Sequence, residues 1–452
     1  MMSMTLLGLL GLGALFVLLA LRMPVALSML GVGFVGTAIA NANKFILIGM
    51  DHDQAWARGW KTAYSNLSGE TFEAASNYNL LVIPMFVLMG ALAGASGMSR
   101  DLYDAAYRWM GHLRGGLASA TIAACAGFAA LSGSSLASAV TMGRVALPEM
   151  KKYKYKDSLA TGSVAAGGTL GFLIPPSGGM IIYAVLTEQS IGRLFMAGII
   201  PGIVLTLLFI AAIYLVVLRK PETGPAGLRS SSADRRAALL RALPILGVVF
   251  ITIGGMYTGF FTPVEASSVG AFFTFVVAMA RRSLTLQTVQ SVVLQTMSAT
   301  ATVFMIIIGA FVFIPFMSLT EVPADLVTLL TSLPIGDTGV LLLIILAYIL
   351  LGMFLESIAM LVLTIPVVIP IAVGLNWDLI WFGIIVVIVL EMGMISPPVG
   401  INVFIVKSIA PDVPMREIFI GILPFWLAMA LMLGLLIVFP QLATFLPQTL
   451  SG

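Results

Sequence analysis

The sequence predicts an all-α polytopic membrane protein, built as two inverted repeats of five spans and one re-entrant hairpin each. Three observations carry that fold class: an apolar composition, a one-sided distribution of basic residues, and an internal repeat. Of 452 residues, 60% are hydrophobic and 10% are charged. The mean hydropathy is +1.07. An ordinary soluble domain carries about 25% charged residues. A soluble chain of this size cannot bury so much apolar surface behind a wettable exterior. A soluble enzyme, a nucleic-acid binder and a disordered protein are therefore excluded. A spanning helix needs about 20 apolar residues, so the length accommodates about ten spans with short loops.

The elements follow in order. Residues 1–21 are apolar with no basic residue before them, unlike a secretory signal, and form the first span. The next apolar stretches are 24–49, 78–97, 116–147, 159–184 and 194–218. After them come 242–258, 262–280, 291–316, 339–373, 378–409 and 419–447. None shows the alternation of a membrane β-strand, so all are read as helical. Stretches 116–147 and 339–373 are too long for one span. Each is broken near its middle, by Ser132-Gly133-Ser134-Ser135 and by Glu356-Ser357. Both are read as hairpins that enter and leave by one face, with polar tips that face protein or a wet cavity.

Charge placement supports this count. With the N-terminus outside, all but four of the 23 Lys and Arg residues fall in inner connectors. The exceptions are Lys44, Arg58, Lys61 and Arg193. Such a bias is the positive-inside pattern, and it places both termini outside. Reading either hairpin as a single span would reverse every later loop. The cluster Lys151 to Lys156 is a topogenic inner group beside anionic lipid.

The chain also repeats itself. Gly171 to Gly178 matches Gly393 to Gly400, 222 positions on, through Pro175-Pro176 and Pro397-Pro398. The same shift carries Ser135 onto Ser357 and Pro148 onto Pro370. Pro24-Val25 matches Pro263-Val264 at a shift of 239. The difference is extra chain in the first half, most simply the polar outer segment 51–76. The expected organisation is a first repeat at 1–218, an inner linker at 219–241 and a second repeat at 242–452. Five spans is an odd number, so the second repeat lies upside down. Inverted repeats with broken helices mark secondary transporters, with the site at the repeat interface.

The candidate residues follow from that organisation. Adjacent prolines remove two backbone donors, and glycines weaken the helix around them, so 159–184 and 378–409 are expected to unwind in mid-span. Freed carbonyls there can ligate a cation, and the half-helix that restarts can face an anion. Ser132, Ser134 and Ser135 offer hydroxyls at one hairpin tip, the hard oxygen donors that suit Na⁺. Glu356 is a carboxylate at the other tip, costly at depth and hence a functional candidate. Glu391 lies just before the second break, and Glu265 near the start of a span. Ser177 and Asn402 sit beside the two breaks and can hydrogen-bond a polar substrate. Asp51-His52-Asp53 is read as a solvated outer segment. The single cysteine, Cys125, lies in an apolar stretch, and both histidines, His52 and His112, lie in polar connectors. No disulfide framework, haem site, Ser-His triad or organic cofactor is expected from them.

Taken together, these residues resemble a known family. Ser132-Gly133-Ser134-Ser135, Gly168-x-x-Gly171-x-x-Ile174-Pro175-Pro176-Ser177 and Gly198-x-x-Pro201-Gly202 look like the large membrane subunit of the tripartite ATP-independent periplasmic (TRAP) transporters. Thr262-Pro263-x-Glu265-Ala266, Glu356, and Ser396-Pro397-Pro398-Val399-Gly400-Ile401-Asn402-x-Phe404 are similar to the same subunit, and the resemblance covers nearly the whole chain. It implies sodium-driven import of an organic acid, a C4-dicarboxylate, sialic acid or a related carboxylate, across a bacterial inner membrane. It implies a small four-helix membrane subunit and a soluble periplasmic binding protein as partners, and an elevator movement of hairpins and broken helices. Two or more Na⁺ ions are expected. Ser132, Gly133, Ser134 and Ser135 with Gly168, Thr169, Gly171 and Pro175 would bind one. Glu356, Ser357, Ser396, Pro397 and Gly400 would bind a second. Ser134, Ser177 and Asn402 would face the substrate. A stand-alone Na⁺- or H⁺-coupled anion transporter of similar fold is the alternative, and a membrane-embedded enzyme stands behind it.

Overall fold

The computed structural model describes residues 3–449. Among them, twenty α-helices follow one another and no strand forms. They are α1 (Met4–Ala20), α2 (Val25–Leu47), α3 (His52–Ser76), α4 (Val82–Ala95), α5 (Met98–Met110), α6 (Gly116–Ser132) and α7 (Ser135–Lys152). Next come α8 (Asp157–Leu173), α9 (Gly178–Leu186), α10 (Ile191–Arg219), α11 (Ser232–Tyr257), α12 (Pro263–Ala280) and α13 (Leu286–Leu319). The chain closes with α14 (Val322–Ser332), α15 (Gly336–Gly352), α16 (Ser357–Gly374), α17 (Leu379–Met394), α18 (Ile401–Ile409), α19 (Met415–Val438) and α20 (Gln441–Thr449). Nine of the described helical segments are long and apolar enough to cross a bilayer. Large apolar side chains such as Leu10, Phe250, Phe260 and Leu286 stand exposed, as on a lipid-facing surface. The protein is a multi-pass membrane protein of the all-α class.

The breaks fall where the sequence puts them. The stretch 116–147 becomes α6 and α7, parted at Gly133 and Ser134, and 339–373 becomes α15 and α16, parted at 353–356. The stretch 159–184 becomes α8 and α9, and 378–409 becomes α17 and α18. Two helices lie where the sequence shows only connectors. The outer segment 51–76 is the 25-residue helix α3, whose N-terminus is capped by the Asp51 carboxylate accepting from the Asp53 N–H. Its polar composition hides it from any hydropathy reading. The segment 317–338 contains α14, too short to register as a span.

The chain forms two compact units, each drawing on both sequence halves. One comprises the chain up to Leu80, Ser298–Ile345 and Ile358–Leu379. Within it α3 packs along α2. Phe34 meets Trp60 and Tyr64 with ring centroids 5.6 and 5.1 Å apart. Gly33 sits against the Val312 and Phe313 backbone, and Phe316 lies over Gly11 and Gly36, so α13 seats closely on the α1–α2 pair. Small residues permit such approach where water supplies no driving force between helices.

The other unit comprises Leu81–Met297, Leu346–Ser357 and the chain from Ile380 onward. Here α8 is central, packed by α6, α7 and α19. Every residue of α8 from Leu159 to Leu173 is buried. Gly162 and Gly421 make the α8–α19 crossing: a β-carbon on Gly162 would collide with the Gly421 carbonyl, and one on Gly421 with the Ser158 carbonyl. Phe209 and Phe425 lock α10 to α19 edge to face at 5.4 Å. The linker braces the base of the first hairpin. Gly115 N–H donates to Gly224 O at 2.8 Å, and Gly227 N–H donates to Gly111 O at 2.8 Å. The Tyr155 hydroxyl takes the N–H of Leu117 in the first turn of α6, at 3.1 Å, and satisfies one of the donors a helix start leaves unpaired. Burial pushes that phenol up to about 12.

Candidate functional site

The candidate ion- and substrate-binding residues from both repeats all lie in the second of these units. The first break is a consequence of Pro175 and Pro176, which cannot donate to the carbonyls of Gly171 and Phe172 one turn back. Ile174 turns extended, and α9 restarts with Ser177 as its cap. The Ser177 hydroxyl accepts from Met180 N–H at 3.4 Å and donates to the Phe172 carbonyl. It thereby satisfies one of the carbonyls the prolines orphan.

The first hairpin tip lies on this break. Gly133 adopts φ +59°, a left-handed conformation that favours glycine, and ends α6. Its carbonyl accepts from Gly178 N–H at 3.0 Å. A β-carbon there would lie 2.8 Å from the Pro176 carbonyl. Ser134 caps α7 by accepting from Ala137 N–H at 3.4 Å. Ser132 and Ser138 share a hydroxyl–hydroxyl bond of 2.8 Å. The tip's backbone faces the glycines of α8: a β-carbon on Gly171 would come 2.6 Å from the Ser134 carbonyl, and one on Gly168 would come 3.1 Å from the Ser135 carbonyl. Thus Ser132, Gly133, Ser134, Ser135, Gly168, Gly171 and Pro175 gather in one place. Thr169 is buried on the same helix, with its hydroxyl donated to the Ala166 carbonyl at 2.6 Å.

The second half repeats this construction. Gly393, equivalent to Gly171, faces the Cα of Gly352 at the second tip, 2.6 Å from where its β-carbon would stand. Gly400, equivalent to Gly178, donates its N–H to the Met353 carbonyl at 3.3 Å. Gly400 itself has φ +62°. Both Pro-Pro bonds, 175–176 and 397–398, are cis. The Ser396 hydroxyl donates to the Met392 carbonyl at 2.7 Å and accepts from Trp426 Nε1 at 2.9 Å. Spacing gave no sign of Trp426, which lies 30 positions away on α19. The repeats differ in exposure: Pro175 and Pro176 are buried, whereas Pro397 and Pro398 are exposed.

Two buried polar side chains stand out. Asn402, in the first turn of α18, is fully buried, and neither end of its amide has a hydrogen-bond partner. A buried amide left unpaired is costly, so this one is suited to receive a polar ligand. Glu391 on α17 is 1% exposed. Its Oε1 accepts from the Ser357 hydroxyl at 3.0 Å. Ser135 of the first tip lies beside the same carboxyl, and Glu356 of the second tip is near enough to act on it electrostatically. Glu356 is half-buried at its tip, while Ser357 is buried. Glu265 is placed otherwise: it closes a capping box with Thr262, accepting from that residue's N–H at 2.8 Å, and so starts α12. Asp51, His52 and Asp53 are exposed around the N-terminus of α3. Among the described residues, no group of three or more His, Cys, Asp or Glu is placed to hold a metal ion.

Ser134, Ser177 and Asn402 are not bonded to one another. Ser134 and Ser177 are helix caps, and Asn402 alone carries free polar atoms. α18 does pack on α7, the helix that Ser134 starts. The arrangement presents backbone carbonyls, hydroxyls and one carboxyl at two hairpin tips, with half-helix N-termini beside them. That set can hold monovalent cations and a polar anion.

The model of the tripartite ATP-independent periplasmic transporter, DctM component, matches residues 12–442. A C4-dicarboxylate TRAP transporter large permease from Pseudomonas aeruginosa is 36% identical, over 85% of this chain and 90% of its own length. A sialic acid TRAP transporter large permease from Vibrio cholerae is 32% identical, over 83% and 88%. The solved YdaH transporter of Alcanivorax borkumensis is similar in fold, with a TM-score of 0.64 at 17% identity, over 85% of this chain and 90% of that one.

Proposed function

The chain belongs to the DctM-component family of tripartite ATP-independent periplasmic transporters, and from that premise we propose that it imports an organic acid together with sodium. As a large permease of this kind, it works with a small membrane subunit and a periplasmic binding protein. Its substrate is a carboxylate of the C4-dicarboxylate or sialic acid class, the classes named for its relatives. The carrying observation is the doubled site. Gly178 and Gly400 tether a hairpin tip at each break, and Asn402, two residues after Gly400, carries a buried unpaired amide.

Sodium supplies what the anion needs. Moving a carboxylate into a low-dielectric site is costly, and adjacent cations and half-helix N-termini offset that cost. Substrate and Na⁺ therefore raise each other's affinity, and this mutual dependence is the coupling. One Na⁺ is held by the first tip and the Gly168–Pro175 segment. A second is held by Glu356, Ser357 and the Ser396–Gly400 segment. Asn402 and Ser134 contact the substrate, while Ser177 keeps the first break open through Phe172. The hairpins and broken helices move as the carrier part of an elevator. The chain lies in a bacterial inner membrane with both termini on the periplasmic side, the orientation that the basic connectors favour.

The test is uptake into proteoliposomes containing this chain with its small subunit, supplied with the binding protein and a panel of organic acids. Uptake that needs both the binding protein and a Na⁺ gradient is expected. Equal uptake with choline in place of Na⁺ would end the sodium reading. Uptake without the binding protein would identify a stand-alone carrier, and chemical conversion of the substrate would identify an enzyme.

A further inference from the structure

Glu391 lies against residues of both hairpins. It sits on α17, and its carboxyl holds the Ser357 hydroxyl at the start of α16. The same carboxyl has Ser135 beside it, at the start of α7. Those two serines are equivalent under the 222-residue repeat, so one acidic group stands where the two tips approach each other.

Its charge is unbalanced. The side chain is 1% exposed. Oε2 is buried with no hydrogen-bond partner. Among the described residues, no Lys, Arg or His forms an ion pair with it. The charge that acts on it is Glu356, of the same sign. A carboxylate buried among hydroxyls and another carboxylate is costly unless a cation is supplied. The donors present are hard oxygens: two carboxyl oxygens and two serine hydroxyls. Such a set suits an alkali cation better than a soft metal.

We propose that Glu391, with Ser135 and Ser357, holds a sodium ion between the two hairpin tips. This site shares Ser135 with the first tip and Ser357 with the second, joins them through Glu391, and builds on the sodium-coupled reading above. Only there does one ion contact residues of both repeats. Its occupancy ties the two tips together, so the tips close on substrate as a pair and not singly. The first repeat has no counterpart: the position equivalent to Glu391 is Thr169, whose hydroxyl is spent on Ala166.

The test uses Glu391→Gln and Glu391→Asp in the full chain, with two readouts. One is the Na⁺ dependence of uptake with both partners present. The other is the melting temperature of the purified chain in NaCl against KCl and choline chloride at equal ionic strength. For Glu391→Gln, the Na⁺ concentration for half-maximal uptake is expected to rise about tenfold or more. Its Na⁺-specific thermal stabilisation shrinks. Glu391→Asp falls between. Should Glu391→Gln fail to fold, Glu391→Asp carries the same expectation at smaller amplitude. A wild-type Na⁺ response in these variants overturns the Glu391 site and leaves sodium coupling standing. Uptake indifferent to Na⁺, with a Na⁺-specific stabilisation that Glu391→Gln removes, overturns the coupling and leaves the site. No Na⁺ effect in either readout overturns both.

Discussion

Ser177 gives its hydroxyl proton to the carbonyl of Phe172, five residues back across the break in the α8–α9 helix, and is fully buried while doing so. The bond replaces one that proline cannot make. The same oxygen caps α9. Ser177→Ala therefore removes a cap and strands a buried carbonyl. A loss of about 1–3 kcal/mol of stability is expected. A thermal unfolding scan of the purified chain checks it. A wild-type melting temperature would show that the break does not depend on this hydroxyl.

Asn402→Ala has the opposite signature. The amide makes no hydrogen bond to the protein, so its removal forfeits none and relieves two unpaired buried atoms. Stability is expected to stay level or rise slightly. Uptake of the organic acid is expected to fall by tenfold or more, as when a ligand loses about 1.4 kcal/mol of binding. Melting and uptake measured on one preparation check the contrast. Wild-type uptake would remove Asn402 from the substrate site.

Gly421→Ala puts a methyl group into the Ser158 carbonyl on α8. Backbone cannot yield there as a flexible side chain would. Overpacking of this kind costs about 1–3 kcal/mol, and valine costs more. The expected result is a lower melting temperature for Ala and little folded protein for Val. Gly434, on the same helix with open space beside it, serves as the control and tolerates Ala.

The polar ends of α5, α11 and α12 share an ion network. Arg241 meets Asp104 at 2.6 Å, Arg281 bonds Asp101, and Arg281 also donates to the Arg241 carbonyl at 3.1 Å. Asp101→Asn and Arg281→Gln are each expected to cost about 1 kcal/mol, since the pair is partly solvated. The double variant should cost less than the sum of the two. A strictly additive double-mutant cycle would show that the two side chains do not interact.

Acid should loosen the linker first. Bonds from the Ser231 hydroxyl and N–H hold Asp234 below its ordinary range, and Glu222 is lowered by a backbone bond and by Lys156. A carboxylate lowered in the folded state lends stability that is full above its ordinary pKa and lost as pH falls through the folded value. Protection of the 219–236 amides against hydrogen exchange is therefore expected to hold at neutral pH and to fade below the carboxylate range. Equal protection at acid and neutral pH would refute it. The capping box at Ser231 and Asp234 also shows why this stretch is ordered, although its composition reads as a plain charged linker.

Much of the site was legible in one dimension because its causes are local. Two prolines break a helix wherever they fall, and Gly133-Ser134 parts a hairpin by ending one helix and capping the next. Repetition of Gly171–Gly178 as Gly393–Gly400 marks both breaks as one device used twice. What escaped was non-local or lacked an apolar signature. Helix α3 is too polar for hydropathy to detect. The Trp426–Ser396 bond joins residues with no shared pattern. Glu265 is a helix cap, a role that a charge count does not distinguish from a headgroup contact.

By itself the sequence determined the membrane class and the places where helices break, because burial in lipid and the missing proline N–H act on each segment separately. Tertiary structure alone decided which groups meet. It brought Ser135 and Ser357, 222 positions apart, to the Glu391 carboxyl, and it left Asn402 buried without a partner. Those outcomes depend on how close packing brings distant helices together, and no local pattern encodes such a distance.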